Sequence, residues 1–382
     1  MASRFLSLPE TDQVLFEESP GVRKMILNRP NKLNSLSYEM ITQILRKLEV
    51  YENDPTVKLL ILKGQGKVFC SGGDVVAMVL SIYGGHWSFG ESFYRKQITL
   101  DYLFATSEKT LVSLINGIVM GGGVGLSMNS RFRVVTENTV FAMPEAQMGH
   151  FPDVGVSYFL SRLPGFFGEY LGLTGAQLNG TEMLACGLAT HFVLSKDLLL
   201  LETALSEAAS DTSTIPKVIN RFARKTFLKQ DSAFMRLEII NKCFSAKTVE
   251  EILLLLQNEV ANGSDAWIIE AISSMKSASP TSLKITLRSI REARMQELED
   301  CLVRDYFICY HIIQGIHSID FLEGSRTKLF EKGKKPKWEP SKLELVSDEM
   351  VDHYFAKVEA PDIEHLRLPA RKNIPKALES KL

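Results

Sequence analysis

Two short apolar runs open the patterned part of the chain, residues 14–16 and 22–27, with Ser19-Pro20-Gly21 between them. β-rich runs split by such a turn predict a hairpin. Asn28-Arg29-Pro30-Asn31 ends it. Met40, Ile41, Ile44, Leu45 and Leu48 then recur at helical spacing, so residues 38 to about 52 are expected to form an amphipathic helix. Ser37 is its expected N-cap and Asp54-Pro55 its stop. Residues 57–62 are apolar except for Lys58, as in a strand covered on both faces. Residues 111–115 form a second such strand, and 132–135 with 140–142 a third pair. The recurring order strand, strand, helix predicts a sheet layered with helices, an α/β class. From about Asp197 glycine becomes rare and helical patterns take over, at 248–258, 267–276 and 282–302. The change of texture near 211–216 divides the chain into residues 12–210 and a mainly helical 211–382.

Composition narrows the classes. Of 382 residues, 45% are hydrophobic and 23% charged, with a net charge of −1. Wholesale disorder is excluded. A nucleic-acid partner is not expected without a basic excess. No stretch approaches the roughly 20 apolar residues of a membrane span, so no membrane partner is expected. The five cysteines (Cys70, Cys186, Cys243, Cys301, Cys309) are odd in number and widely spaced, which fits reduced thiols in a reducing compartment. The N-terminal residues fit neither a secretory signal nor a mitochondrial presequence. The last three, Ser380-Lys381-Leu382, spell the peroxisomal import address, so the peroxisomal matrix is the expected location and the import receptor an expected partner.

Two glycine loops carry the candidate chemistry. Phe69-Cys70-Ser71-Gly72-Gly73-Asp74 follows the run 57–62, and Gly121-Gly122-Gly123 follows 111–115. Such a loop cradles a phosphate, approaches a carbonyl oxygen, or is only a tight turn. Neither loop spells a phosphate motif. Two loops, each after a buried strand, fit an oxyanion hole with one N–H from Gly73 and one from Gly122. The second would lie near a helix N-terminus, whose dipole adds positive potential. Downstream, Glu145 and Asp153 stand eight residues apart in a Pro/Gly-rich segment. Two solvated loop acids are the ordinary alternative for such a pair. No metal-ligand cluster is visible in the spacing.

Asn28-Arg29-Pro30, Phe69 to Asp74, Asn116-Gly117 to Gly125 and Met143-Pro144-Glu145 occur in the order and at the spacing of the crotonase superfamily, which residues 12–200 resemble. The resemblance implies a crotonase-like spiral of ββα units, an acyl-CoA substrate, and a thioester carbonyl held by the N–H groups of Gly73 and Gly122. A hydratase of that superfamily places one catalytic Glu shortly after the triple glycine and another after the later proline. Here those positions are Gly125 and Glu145, so simple hydration is disfavoured. Phe151-Pro152-Asp153-Val154-Gly155, Ser157 to Leu160, Leu173-Thr174-Gly175, Ala189-Thr190-His191-Phe192, Ser282-Leu283-Lys284 and Pro336-Lys337-Trp338-Glu339-Pro340 extend the likeness. Nearly the whole chain is similar to the 3-hydroxyisobutyryl-CoA hydrolase family, its plant peroxisomal members especially.

That likeness implies hydrolysis of a short β-hydroxyacyl thioester in valine breakdown, with no cofactor beyond the coenzyme A of the substrate. Glu145 would activate water or attack directly to give a mixed anhydride. Asp153 would hold the 3-hydroxyl or the attacking water. Two nearby carboxylates would also raise one pKa and help proton delivery to the thiolate. The chain departs from the family at Gln97, where a pocket-lining Glu is common; Gln97 keeps the size and the hydrogen bonds but not the charge. His150 stands where an apolar residue is usual and reads as structural. Val156 replaces a small residue and would narrow the acyl pocket, and His86-Trp87 would lie near it. Crotonase relatives often form trimers, so a homo-oligomer is compatible with this chain. Two other functions stay open: an isomerase or hydratase on the same scaffold, and a non-catalytic acyl-CoA-binding paralogue.

Overall fold

A computed structural model describes residues 12–263, 266–358 and 366–371. The expected hairpin is present, β1 (Val14–Ser19) antiparallel to β2 (Val22–Leu27). Helix α1 (Tyr38–Asn53) follows, and the Ser37 hydroxyl accepts the Met40 N–H at 3.0 Å, the expected cap. The chain then repeats a theme: β3 (Leu59–Gly64) and β4 (Val68–Cys70) with α2 (Val75–Tyr83) and α3 (Trp87–Ala105); β5 (Thr110–Ile115) and β6 (Ile118–Met120) with α4 (Gly122–Met128); β7 (Phe132–Val135) and β8 (Val140–Ala142).

The two strands of each pair part company. The first joins a six-stranded sheet and the second a four-stranded one, in orders β1-β2-β3-β5-β7-β10 and β4-β6-β8-β9. The last strands are β9 (Leu178–Asn179) and β10 (His191–Phe192). Each helix returns the chain to the larger sheet one strand further on, where β3, β5 and β7 pair in parallel. This is the crotonase-like spiral. All six residues of β5 are buried, because the large sheet is covered on both faces. Leu59, Ile61, Val112, Leu114 and Val134 face a smaller apolar cluster. Leu60, Leu62, Leu111, Ile115 and Val135 face the main one.

Helices α5 (Val156–Leu160), α6 (Phe167–Thr174) and α7 (Gly180–Cys186) lie in the chain between β8 and β10, and α8 (Leu198–Glu207) and α9 (Ile215–Phe222) cover the smaller cluster. The helical remainder comprises α10 (Leu237–Phe244), α11 (Val249–Asn262), α12 (Ala266–Ser277), α13 (Pro280–Ala293), α14 (Leu298–Gln314), α15 (Asp320–Ser325) and α16 (Asp348–Phe355). The single helical pattern expected over 282–302 is two helices. Arg294 turns aside to pair with Glu169 at 2.7 Å, Met295 is 92% exposed, and Glu297 with Asp300 forms a new capping box.

The main cluster runs through residues of both 12–210 and 211–358: Phe93 and Val154 share it with Leu302, Tyr306 and Cys309. α14 lies along α3, which brings it behind the site. All five cysteines are buried and free. No helix among the described residues is long and apolar enough to cross a membrane. Ser380-Lys381-Leu382 lies outside the described residues.

Candidate active site

The Asn28-Arg29-Pro30 turn is a brace for the first glycine loop. Asn34 accepts the Arg29 N–H at 2.8 Å and donates to the Gln65 and Val68 carbonyls at 3.0 and 2.7 Å. The Arg29 guanidinium reaches the Ser35 carbonyl at 2.8 Å and the Asp74 carboxylate at 3.0 Å. Asp74 also caps α2 through the Ala77 N–H. A one-residue bridge to Leu36 uses the Gly72 carbonyl and the Asp74 amide, 2.8 Å each. The Gly73 N–H between them has no acceptor among the described residues. Gly122 opens α4, so its N–H is one a helix cannot satisfy internally, and it too has no acceptor among those residues. The loops touch: a Cβ on Gly72 would lie 3.7 Å from the Gly122 nitrogen.

Both loops border a cavity of about 110 Å³, and Gln97, Glu145 and Asp153 border the same cavity. All five residues singled out in the sequence therefore meet in one place. Gln97, on α3, is buried; its amide nitrogen has no hydrogen-bond partner among the described residues and crowds the position a Gly122 side chain would take. Glu145 starts a single 3-10 turn after β8. Its Oε1 lies 3.1 Å from where a Gly121 Cβ would be, and its Oε2 is shielded from solvent without a partner. Burial first, and the charge of Asp153 second, raise its pKa well above the carboxylate range. Asp153 is 7% exposed and pushed up to about 7, by burial and then by Asp305. Two such acids titrate as a pair rather than singly.

His150 borders the cavity as well. Its Nδ1 lies 3.0 Å from the Phe151 carbonyl, which makes it the protonated nitrogen, so Nε2 accepts the Tyr94 hydroxyl at 2.9 Å. Burial lowers its pKa to about 4, which leaves the ring neutral. It lines the cavity with both ring nitrogens engaged. The sequence spacing shows no metal-ligand set, yet the fold gathers one of suitable spacing: donor atoms of His150, Asp153 and Cys309 lie within 4.8 Å of one another. Those atoms are engaged with neighbours, the ring nitrogens as described and the Cys309 thiol with Asp153 at 3.7 Å. Val156 is buried but does not border the cavity, so it does not narrow it. His86 and Trp87 do not border it either; Trp87 packs edge-on against Tyr310.

Position 125 has no room for a side chain. A Cβ there would come within 2.7 Å of Val154 Cγ2 and 3.0 Å of Asp101 Oδ2. Asp101 itself escapes a motif-based reading. It is fully buried, and neither oxygen has a hydrogen-bond partner among the described residues. The available signal was periodic: Tyr94, Gln97 and Asp101 fall at helical spacing on one face of α3. Burial, and then the Asp153 charge, raise the Asp101 pKa well above its ordinary value. A carboxyl whose folded pKa exceeds its unfolded one holds a proton that unfolding releases, so stability falls as pH rises between the two. Asp101→Asn, neutral throughout, should therefore gain on the natural chain as pH rises from 5 to 9, by at most about 1.4 kcal/mol per unit. Urea titrations across that range check this; a pH-independent difference refutes it.

The sequence matches the enoyl-CoA hydratase/isomerase family over residues 22–355. It is 51% identical over 371 residues to 3-hydroxyisobutyryl-CoA hydrolase 1 of Arabidopsis thaliana, covering 97% of this chain and 98% of the relative. It is also 41% identical over 384 residues to small ribosomal subunit protein mS47 of the same plant, covering 97% and 94%. The fold matches the crystal structure of a carnitinyl-CoA dehydratase from Mycobacterium thermoresistibile with a TM-score of 0.84 and 32% identity, over 93% of this chain and 98% of that one. With the spiral, the paired glycine loops and the carboxyls on one cavity, these likenesses mean that the chain belongs to the enoyl-CoA hydratase/isomerase (crotonase) superfamily and, within it, to the 3-hydroxyisobutyryl-CoA hydrolase family.

Proposed function

We propose that the chain hydrolyses short β-hydroxyacyl-CoA thioesters, 3-hydroxyisobutyryl-CoA above all, to the free acid and coenzyme A. One observation carries this: two unsatisfied main-chain N–H groups and two carboxyls of raised pKa converge on one cavity. The N–H groups of Gly73 and Gly122 hold the thioester oxygen and grip it harder as it gains charge. Each such donor contributes about 3–4 kcal/mol to the transition state. Ionised Glu145 takes a proton from water, or attacks the carbonyl carbon to give an anhydride that water opens. Asp153 holds the 3-hydroxyl or the water, and a proton kept by the pair goes to the leaving thiolate. The Gln97 amide donates to the acyl group. Among the described residues no Lys or Arg borders the cavity, which suits an uncharged acyl group. No cofactor is needed beyond the coenzyme A that arrives with the substrate.

Hydration is opposed by position 125, where a second acid has no space. Purified protein is mixed with 3-hydroxyisobutyryl-CoA, crotonyl-CoA and a 3-enoyl-CoA, while free thiol and enoyl absorbance are followed. Thiol from the first supports hydrolysis. Absorbance change without thiol points to the isomerase or hydratase, and silence with CoA-ester binding to a non-catalytic paralogue. The terminal Ser380-Lys381-Leu382 supports a place in the peroxisomal matrix, with the import receptor as partner and valine breakdown as the setting. A homo-oligomer is part of the same reading.

The pair's titration has a kinetic signature. The base must be ionised, and its folded pKa is raised, so activity is lost as pH falls through the neutral range. The acid limb of kcat/KM should lie above that of a free carboxylate, because burial and neighbouring charge raise both carboxyls. A profile from pH 5 to 9 measures it; a limb below pH 5 refutes the shared, buried pair.

A further inference from the structure

Asp153 is followed by two residues in left-handed backbone, Val154 (φ 55°) and Gly155 (φ 74°). A β-branched residue in that region is an outlier, and such strain persists only where the surroundings over-determine it. The restraint comes from α14. Asp305 is fully buried, and its Oδ2 accepts the Gly155 N–H at 2.8 Å. Its other oxygen accepts from Arg304 at 3.3 Å, and Arg304 donates to Ser157 Oγ at 2.6 Å. One turn along, the Cys309 thiol donates to Asp153 itself. Across the turn, Val154 Cγ2 presses on the bare face of Gly125. The turn is gripped between α4 and α14.

We propose that Asp305 is a positioning residue for hydrolysis: its bond to the Gly155 amide holds the strained turn that aims Asp153 into the cavity. The reaction geometry of the spiral is thus set from the C-terminal helical part. This rests on the role given to Asp153 above.

Asp305 acts by charge as well as by shape. The groups facing Asp153 are Glu145 and His150 from its own segment, Tyr94 and Asp101 from α3, and Asp305 and Cys309 from α14, with Arg304 against Asp305. Burial pushes Asp305 up to about 6, and its charge is one of the causes that raise Asp153. The other groups are untouched in the variants below.

Asp305→Asn keeps an oxygen for the Gly155 amide and removes the charge; Asp305→Ala removes both. The Ala variant should lose roughly a hundredfold in kcat with KM within about threefold, the cost of a misaimed group. The Asn variant should keep kcat within about threefold, because the Gly155 amide keeps its acceptor. A folded Ala variant of undiminished kcat overturns the proposal, and so does an Asn variant that loses as much kcat as the Ala variant. Both changes leave Arg304 buried beside a missing charge, and the Ala change removes its acceptor as well. If the Ala protein does not fold, the Asn variant decides: kcat within about threefold supports the hydrogen bond, and a loss of roughly a hundredfold refutes it. Full activity in Asp153→Asn would instead sink the role of Asp153, a separate failure.

Discussion

Glu145→Gln should cut kcat on 3-hydroxyisobutyryl-CoA by roughly 10²–10⁴-fold, the range for loss of a general base. The substitution keeps the shape and one oxygen but removes the charge that either route requires. Binding of a non-hydrolysable CoA thioether, followed by calorimetry, should change by less than about threefold, because the Gly73 and Gly122 amides remain to hold the oxygen. Stability should not fall. The Oε2 atom has no partner to lose, and burial already works against its charge. The routes separate in ¹⁸O-water, where label in the Glu145 carboxylate after turnover marks the anhydride. Normal thiol release from the Gln variant would remove Glu145 from the chemistry.

The largest expected effect on stability is at Gly117, which does not border the cavity. Its φ is 86°, and an added Cβ would overlap the Lys67 carbonyl oxygen and lie 3.1 Å from Val68 Cα. Neither main-chain atom can yield, because β4 and β6 pair at Val68 and Ile118. Gly117→Ala should therefore cost more than about 4 kcal/mol, a large part of a typical domain stability of roughly 5–15 kcal/mol. Gly85 is the control. Its φ of 80° is similar, but nothing lies within 4 Å of an added Cβ. Gly85→Ala should cost only the left-handed backbone, about 1–2 kcal/mol. Equal urea midpoints for the two variants would show that the clash at Gly117 is relieved by movement.

Helix α1 and its Ser37 cap were legible because amphipathic periodicity and capping act within a few residues. The glycine loops and the acids at 145 and 153 were legible through the likeness to a known family. The break between α13 and α14 was not. The apolar period hardly falters there, and the bend is made by Arg294 reaching Glu169, 125 residues earlier. Asp101 was hidden differently. A single Asp in an amphipathic helix looks like a solvated residue, and only the packing of α3 on α4 turns it inward.

The sequence alone determined the local things: where strands and helices begin, which loops lack side chains, and which acids stand ready beside them. Those depend on dihedral preference, periodicity and side-chain chemistry, all short-ranged. Tertiary structure decided the rest. It brought residues 73, 97, 122, 145 and 153 to one cavity, filled the space beside Gly125, and set Asp305 against a loop 150 residues away in the chain. The pKa values of the acids belong to that second group. Desolvation and neighbouring charge arise only once distant segments have excluded water together.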